Sequence, residues 1–189
     1  MLARRWLGAL VVLVFTACSS AVTRPVYRDA NMDFGAIQIV GVMPFQNLTR
    51  DSLAGDRVRD VFINRLLSTG AVYVVPIGEI ARAVARTEVQ LPATPPPEDV
   101  VKLASTLKAQ AIITGAVQEY GEVRSGSSSA NLISVSVQML EAQTGKIIWT
   151  ASSTKGGITM WDRLLGGGGR PMDEVTRAAV NDLIAKLFK

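Results

Sequence analysis

From Leu132 to Ser152 the chain alternates so regularly that it admits little besides a pair of antiparallel strands. Ile133, Val135, Val137 and Met139 fall at every second position, with Ser134, Ser136 and Gln138 between them. A period of two sends successive side chains to opposite faces of a sheet, so one face is buried and the other is wet or thinly covered. Gln143-Thr144-Gly145 makes a tight turn, and Lys146 to Ser152 is the returning strand. Upstream, Ala111 to Tyr120 supplies a third strand of the same block.

The first half reads differently. Ile37 to Phe45 is an apolar run ended by Pro44, the pattern of a buried strand. Asn47 to Asp51 is loop, and Asp51 or Ser52 can cap a helix that runs to about Ser68 and stops at Gly70. Val58, Val61, Phe62 and Leu66 form its apolar face, and Val72 to Val75 is a second buried strand. Strand, helix and strand in that order imply a right-handed crossover between parallel strands. Pro76 opens a helix with Ile77, Ile80, Ala81 and Val84 at helical spacing. Four prolines between Leu91 and Pro97 exclude regular structure there. Pro97, Glu98 and Asp99 then suit the start of a helix whose stripe is Val100, Leu103, Ala104 and Leu107. Met172 to Phe188 is a terminal helix buried through Val175, Ala179, Leu183 and Leu187. The expected fold class is α/β, in the order β-α-β-α-α-β-β-β-α, with a mixed sheet and helices mainly on one face.

Ahead of this domain stands a leader. Met1 to Trp6 is short and basic, Leu7 to Phe15 is apolar apart from Gly8, and Thr16-Ala17 precede the single cysteine, Cys18. This is the order of a secretory signal peptide. Trp6 to Ala17 is twelve residues, against about 20 for a membrane span, so removal is expected rather than retention. The expected divisions are a signal peptide over 1–17, a tether over 18–34 and an α/β domain over 35–189. Formal charge is +4, and losing Arg4 and Arg5 with the acid-free leader leaves +2, so neither nucleic acid nor anionic lipid is required as a partner. The chain has no histidine, which removes the usual general base, the commonest zinc ligand and any Ser-His or Cys-His pair. No catalytic, cofactor-binding or metal-ligating set is expected.

Cys18 behind Phe15-Thr16-Ala17 resembles the lipobox of bacterial lipoproteins, in which that thiol is acylated and becomes the new N-terminus. An ordinary signal peptide and an uncleaved anchor are the competing readings. Ser19 matches lipoproteins sent to the outer membrane. Within the domain, Ile39 to Asn47 (IVGVMPFQN), Ala111 to Gly121 (AIITGAVQEYG) and Val135 to Trp149 (VSVQMLEAQTGKIIW) follow in order. Together they resemble the periplasmic lipoproteins grouped around the curli secretion channel CsgG and the peptidoglycan-synthase activator LpoB, whose fold is similar to the N-terminal domain of TolB. The resemblance implies a non-enzymatic protein that binds or assembles other envelope proteins. It implies membrane lipid as a partner through acylated Cys18, a homo-oligomer, and a place on the periplasmic face of the outer membrane. Two narrower roles, a channel subunit of the CsgG type and an activator of the LpoB type, are alternatives. Against the first, only eight residues, Arg124 to Asn131, stand where a barrel hairpin would be inserted. Against the second, residues 19–31 are far shorter than the arm such activators carry.

Three further motifs invite functional readings. Ser105-Thr-Leu-Lys108 matches S-x-x-K, a nucleophile signature, but S-D-N and K-T-G do not follow, so a helix surface is the better reading. Gly166 to Arg170 lacks the strand before it and the Lys-Ser/Thr after it that a phosphate loop needs. Met160, Trp161, Leu164 and Leu165 form an apolar cluster between glycine-rich flanks. It either folds back on its own domain or is the contact for a partner or a membrane surface.

Overall fold

The computed structural model describes residues 26–126, 128–158 and 169–189. Its strands are β1 (Tyr27–Arg28), β2 (Ile39–Val42), β3 (Gln46–Asn47), β4 (Tyr73–Val74), β5 (Ala111–Ser125), β6 (Ser128–Glu141) and β7 (Ile147–Gly156). Its helices are α1 (Ala54–Ser68), α2 (Ile77–Thr87), α3 (Pro97–Leu107) and α4 (Met172–Leu187). The strands form one seven-stranded sheet in the order β1-β7-β6-β5-β2-β4, with β3 also beside β5. β4, β2, β3 and β5 are parallel neighbours, and β5, β6, β7 and β1 are antiparallel. The mixed α/β fold and the element order are as the sequence implied, with β1 and β3 added.

Alternation along the strands sorts two cores. Val40 and Val42, Ala111, Ile113 and Val117, and Ile133, Val135, Val137 and Met139 face α1 and α4, the two longest helices. Met43, Ile112 and Leu140 point the other way and meet α2 and α3, which cover only one end of that face. Helices are thus weighted to one face. α2 is rotated from the expected stripe: Ile80 and Ala83 are buried, while Ile77 and Ala81 are exposed. A helix that leans chiefly on α3 presents a narrower seam than one lying flat on a sheet.

At the end of β2, Pro44 stops the ladder and the chain steps across to β3, so Phe45 crosses over β5. A Cβ on Gly115 would lie 2.9 Å from three Phe45 ring atoms, so glycine is what lets the ring rest there and tilt against Phe62 at 5.8 Å. α1 begins at Ala54, slightly later than expected, because Asp51 caps the turn before it: its Oδ1 accepts from Leu53 N and its Oδ2 from Arg57.

Two boundaries differ from the sequence reading. The segment expected to be a tether joins the sheet at Tyr27, and Arg28 donates to the Leu187 carbonyl while lying 3.7 Å over the Phe34 ring. Two residues of strand carry too little pattern to be read from sequence. The Gly- and Ser-rich stretch 124–131 is no gap between strands either. Beyond the register shift at Gln118, β5 and β6 pair through to Ser125 opposite Ser128, because the ladder is made by backbone groups that serine supplies as well as valine does.

Candidate functional site: the loop end and the open sheet face

Cys18 and the cluster Met160, Trp161, Leu164 and Leu165 lie outside the described residues. The geometry at the two feet of the segment that carries the cluster is described. Gly157 N donates to the Asn131 carbonyl at 2.8 Å, and Asn131 Nδ2 donates to the Arg170 carbonyl at 2.9 Å. One asparagine therefore holds both feet of the segment that carries the apolar cluster. A Cβ on Gly156, at φ +85°, would lie 2.0 Å from the Asn131 carbonyl, and one on Gly169 would lie 2.7 Å from Ala130 Cβ. Glycine at these feet serves close approach to β6. At these two positions the glycine of the flanks is a packing requirement.

β1 runs antiparallel to β7, with Tyr27 opposite Thr150 and Arg28 opposite Trp149, so the chain enters β1 from the Gly156 end. Gly156 lies opposite Leu132, and Leu48 N donates to the Val117 carbonyl. The N-terminal approach, the two feet and residues 47–53 thus share one end of the sheet. That last loop is held by its own side chains: Asn47 Oδ1 accepts from Thr49 N and Oγ1, and Asn47 Nδ2 donates to the Asp51 carbonyl. It presents Leu48 and Leu53 to solvent.

On the face not covered by α1 and α4, three rows of side chains cross β5, β6 and β7. Thr114, Gln138, Thr150 and Tyr27 form the first row, and Ala116, Ser136 and Ser152 the second. Ser134 and Thr154 form the third with Glu119, which is in register with Ser134, and with Gln118, which sits at the register shift in β5. The hydroxyls bond within the face: Thr154 Oγ1 donates to Ser134 Oγ at 3.0 Å, Ser134 Oγ to Gln118 Oε1 at 3.0 Å, and Thr150 Oγ1 to the Val137 carbonyl at 3.1 Å. The linker between α2 and α3 walls one side, where Ala93, Thr94 and Pro95 with Thr114, Ser136 and Gln138 bound a hollow of about 210 Å³.

The charged clusters are fasteners. Ser153 is buried and donates to Asp182 Oδ2 at 2.7 Å. Lys186 Nζ bonds the same oxygen at 2.7 Å and the Ser152 carbonyl at 2.8 Å, with Lys155 3.6 Å from Oδ1. Burial works against ionisation of Asp182, but the hydrogen bonds from Lys186 and Ser153 and the charges of Lys186 and Lys155 together outweigh it and hold the carboxyl below its ordinary value. The cluster ties α4 to β7. The Ser153 hydroxyl is part of that tie. Arg59 on α1 is 6% exposed and its Nε and Nη2 donate to the Val42 carbonyl at 3.2 and 2.6 Å. Burial lowers its pKa, against the charges of Asp60 and Asp56. It closes the last carbonyl of β2. Ser105 and Lys108 meet through backbone alone, Lys108 N donating to the Ser105 carbonyl in a helix cap. Trp149, which ends the Val135 to Trp149 stretch, is a core residue whose Nε1 lacks a hydrogen-bond partner. Among the described residues no three carboxylate or thiol groups converge as for a metal, and no helix is long and apolar enough to cross a membrane.

The sequence matches the family described as peptidoglycan-synthase activator LpoB over residues 11–154. The chain belongs to that family. No curated protein matches. Among solved structures, the PelC dodecamer from Paraburkholderia phytofirmans is similar at a TM-score of 0.59 and 14% identity, over 87% of this chain and 98% of that one. Lipoprotein GNA1162 from Neisseria meningitidis is similar at 0.52 and 18% identity, over 78% of this chain and 99% of that one. The hypothetical protein CT253 from Chlamydia trachomatis is similar at 0.52 and 15% identity, over 80% and 96%. At such identities the likeness is one of fold. This member of the LpoB family is thus an envelope-associated protein of a family of activators rather than of enzymes.

Proposed function

We propose that this chain is an outer-membrane lipoprotein that faces the periplasm and acts by binding and assembling other envelope proteins, as a homo-oligomer. In this reading residues 1–17 are removed and Cys18 carries the lipid. The observation that carries it is the family match, whose span of 11–154 takes in both Cys18 and most of the sheet. The lipoprotein GNA1162 and the dodecameric PelC, each similar over nearly its whole length, support the lipid and the oligomer respectively. One acyl chain alone anchors marginally, whereas several together anchor stably.

The activator role gains support from the family description, and the tether sets its geometry. With β1 starting at Tyr27, Cys18 to Val26 spans at most about 30 Å. A synthase would therefore be met close to the membrane. Kinship with CsgG and a TolB-like domain belongs to the same proposal, and the directly joined β5–β6 hairpin leaves no room for an inserted barrel hairpin at that point. Met160, Trp161, Leu164 and Leu165 are the proposed recognition element, in the segment whose two feet, Gly157 and Arg170, are both bonded by Asn131.

Crosslinking in cells followed by mass spectrometry tests the binding role. Envelope proteins, a peptidoglycan synthase among them, should be captured near the membrane, and capture of no envelope protein would remove the proposal. Trp161→Ala should lose the captured partner. Retention of every partner and of the oligomeric state would dismiss the loop as the contact.

A further inference from the structure

We infer that the hollow enclosed by α2, the C-terminal end of α3 and the edge strand β4 is a binding site for a phosphate monoester. The hollow measures about 290 Å³. Buried Val75 and Ala83 line it together with Tyr73, which is 58% exposed. Arg82 and Arg86, one helical turn apart on α2, and Lys108, at the end of α3, bring three cations to it. Among the described residues Glu79 is the one acid in the lining, and it is already bonded to Arg82. No hydrogen bond or ion pair is made by the side chain of Arg86 or of Lys108 among the described residues. Lys102, elsewhere on α3, does pair with an acid, Asp99, at 3.1 Å. Three cations less one carboxylate leave the hollow two positive charges, matching the charge of about −1.5 to −2 that a phosphate monoester carries at neutral pH. Guanidinium forks suit phosphate oxygens, and the hydroxyls of Tyr73 and Thr106 add neutral donors to the same lining.

Cations at helix ends commonly answer the helix dipole. That does not account for Arg82 in mid-helix, nor for Lys108 at φ +54°, a left-handed cap position that glycine fills with less strain. The rest of the chain does not supply the anion. Residues 1–25 contain no aspartate or glutamate. Residues 159–168 contain one, Asp162, but both feet of that segment are bonded by Asn131. Tyr73 pairs with Ile39, and the neighbouring Val40 pairs with Ala111, which pairs with Glu141. From Glu141 back along β6 to Asn131 is about 33 Å. A segment held at both ends by Asn131 reaches at most about 23 Å from it. The hollow is therefore left to a ligand from outside.

Isothermal titration calorimetry of the full chain in non-ionic detergent tests the site, with glycerol 3-phosphate as the probe. The wild type should bind it, and should bind succinate, whose two charges sit on separate carboxylates, at least about tenfold more weakly. Arg86→Gln and Lys108→Gln should each weaken binding of the phosphate about tenfold or more while keeping the wild-type circular dichroism. Lys102→Gln, which removes a charge outside the hollow, should leave the affinity unchanged. A wild type that does not bind, or Arg86 and Lys108 variants that bind as it does, would overturn the inference. Succinate bound as tightly as glycerol 3-phosphate would overturn the assignment to phosphate. Dihexanoyl phosphatidic acid, titrated in the same way, separates the two sources of such a group. Tighter binding than glycerol 3-phosphate, lost in Arg86→Gln, supports the site as one for a lipid headgroup, and weaker binding supports it as one for a soluble ester.

Discussion

Asp182 is the residue whose chemistry is most readily tested. Its folded pKa is lowered, so its contribution is whole above the ordinary carboxylate value of 3.8 and is lost as pH falls below that value through the depressed one. Asp182→Asn should cost about 1–2 kcal/mol at neutral pH. Chemical denaturation at neutral and acid pH should show the variant's deficit shrinking as the wild type is acidified. A deficit that stays constant to low pH would mean the carboxylate is not what holds α4. Gly115→Ala should destabilise by about 1–3 kcal/mol through the Phe45 ring. A smaller residue at 45 should then interact favourably with it, because the clash is between that pair alone. A double-mutant cycle with Phe45→Leu measures the coupling, and strict additivity would refute it.

Among the elements, β6 does the most: it lies between β5 and β7, floors the main core with one face and shows the other to the open side. Near its start, Asn131 bonds both Gly157 and Arg170, the feet of the segment that carries the apolar cluster. Gly156→Ala should cost about 2–4 kcal/mol, because a Cβ there meets the Asn131 carbonyl at a backbone angle that alanine disfavours. Asn131→Ala should be milder, about 1 kcal/mol, since Nδ2 is exposed and the Gly157 bond uses backbone. Partner capture should fall in Asn131→Ala even though the fold survives; thermal melts and crosslinking on the same sample check both halves. The strand pattern of β6 was legible because hydrophobic alternation is a local signal. The paired feet were not, because glycine reads the same whether it serves mobility or contact with a strand distant in sequence.

For the whole molecule, the decisive substitution is Cys18→Ser. It should shift the protein from the membrane fraction to the soluble periplasm or stall it as precursor, with residues 26–189 folded as before. Unchanged membrane association and an unmodified residue 18 in the wild type would end the lipoprotein reading. Much of the architecture was open to inspection from the chain alone. Hydrophobic period and proline and glycine punctuation are written over a few residues at a time, and they determined the strand and helix order and the apolar faces of α1, α3 and α4. Tertiary structure decided the rest: that residues 27–36 belong to the domain, that α2 turns Ile77 outward, that Asp182 serves a latch, and that Gln118, Ser134 and Thr154 from three strands are linked by hydrogen bonds across the sheet. Each of these depends on groups brought together by register and crossover. A contact between residues far apart in sequence leaves no periodic trace in either segment, so only the folded sheet reveals it.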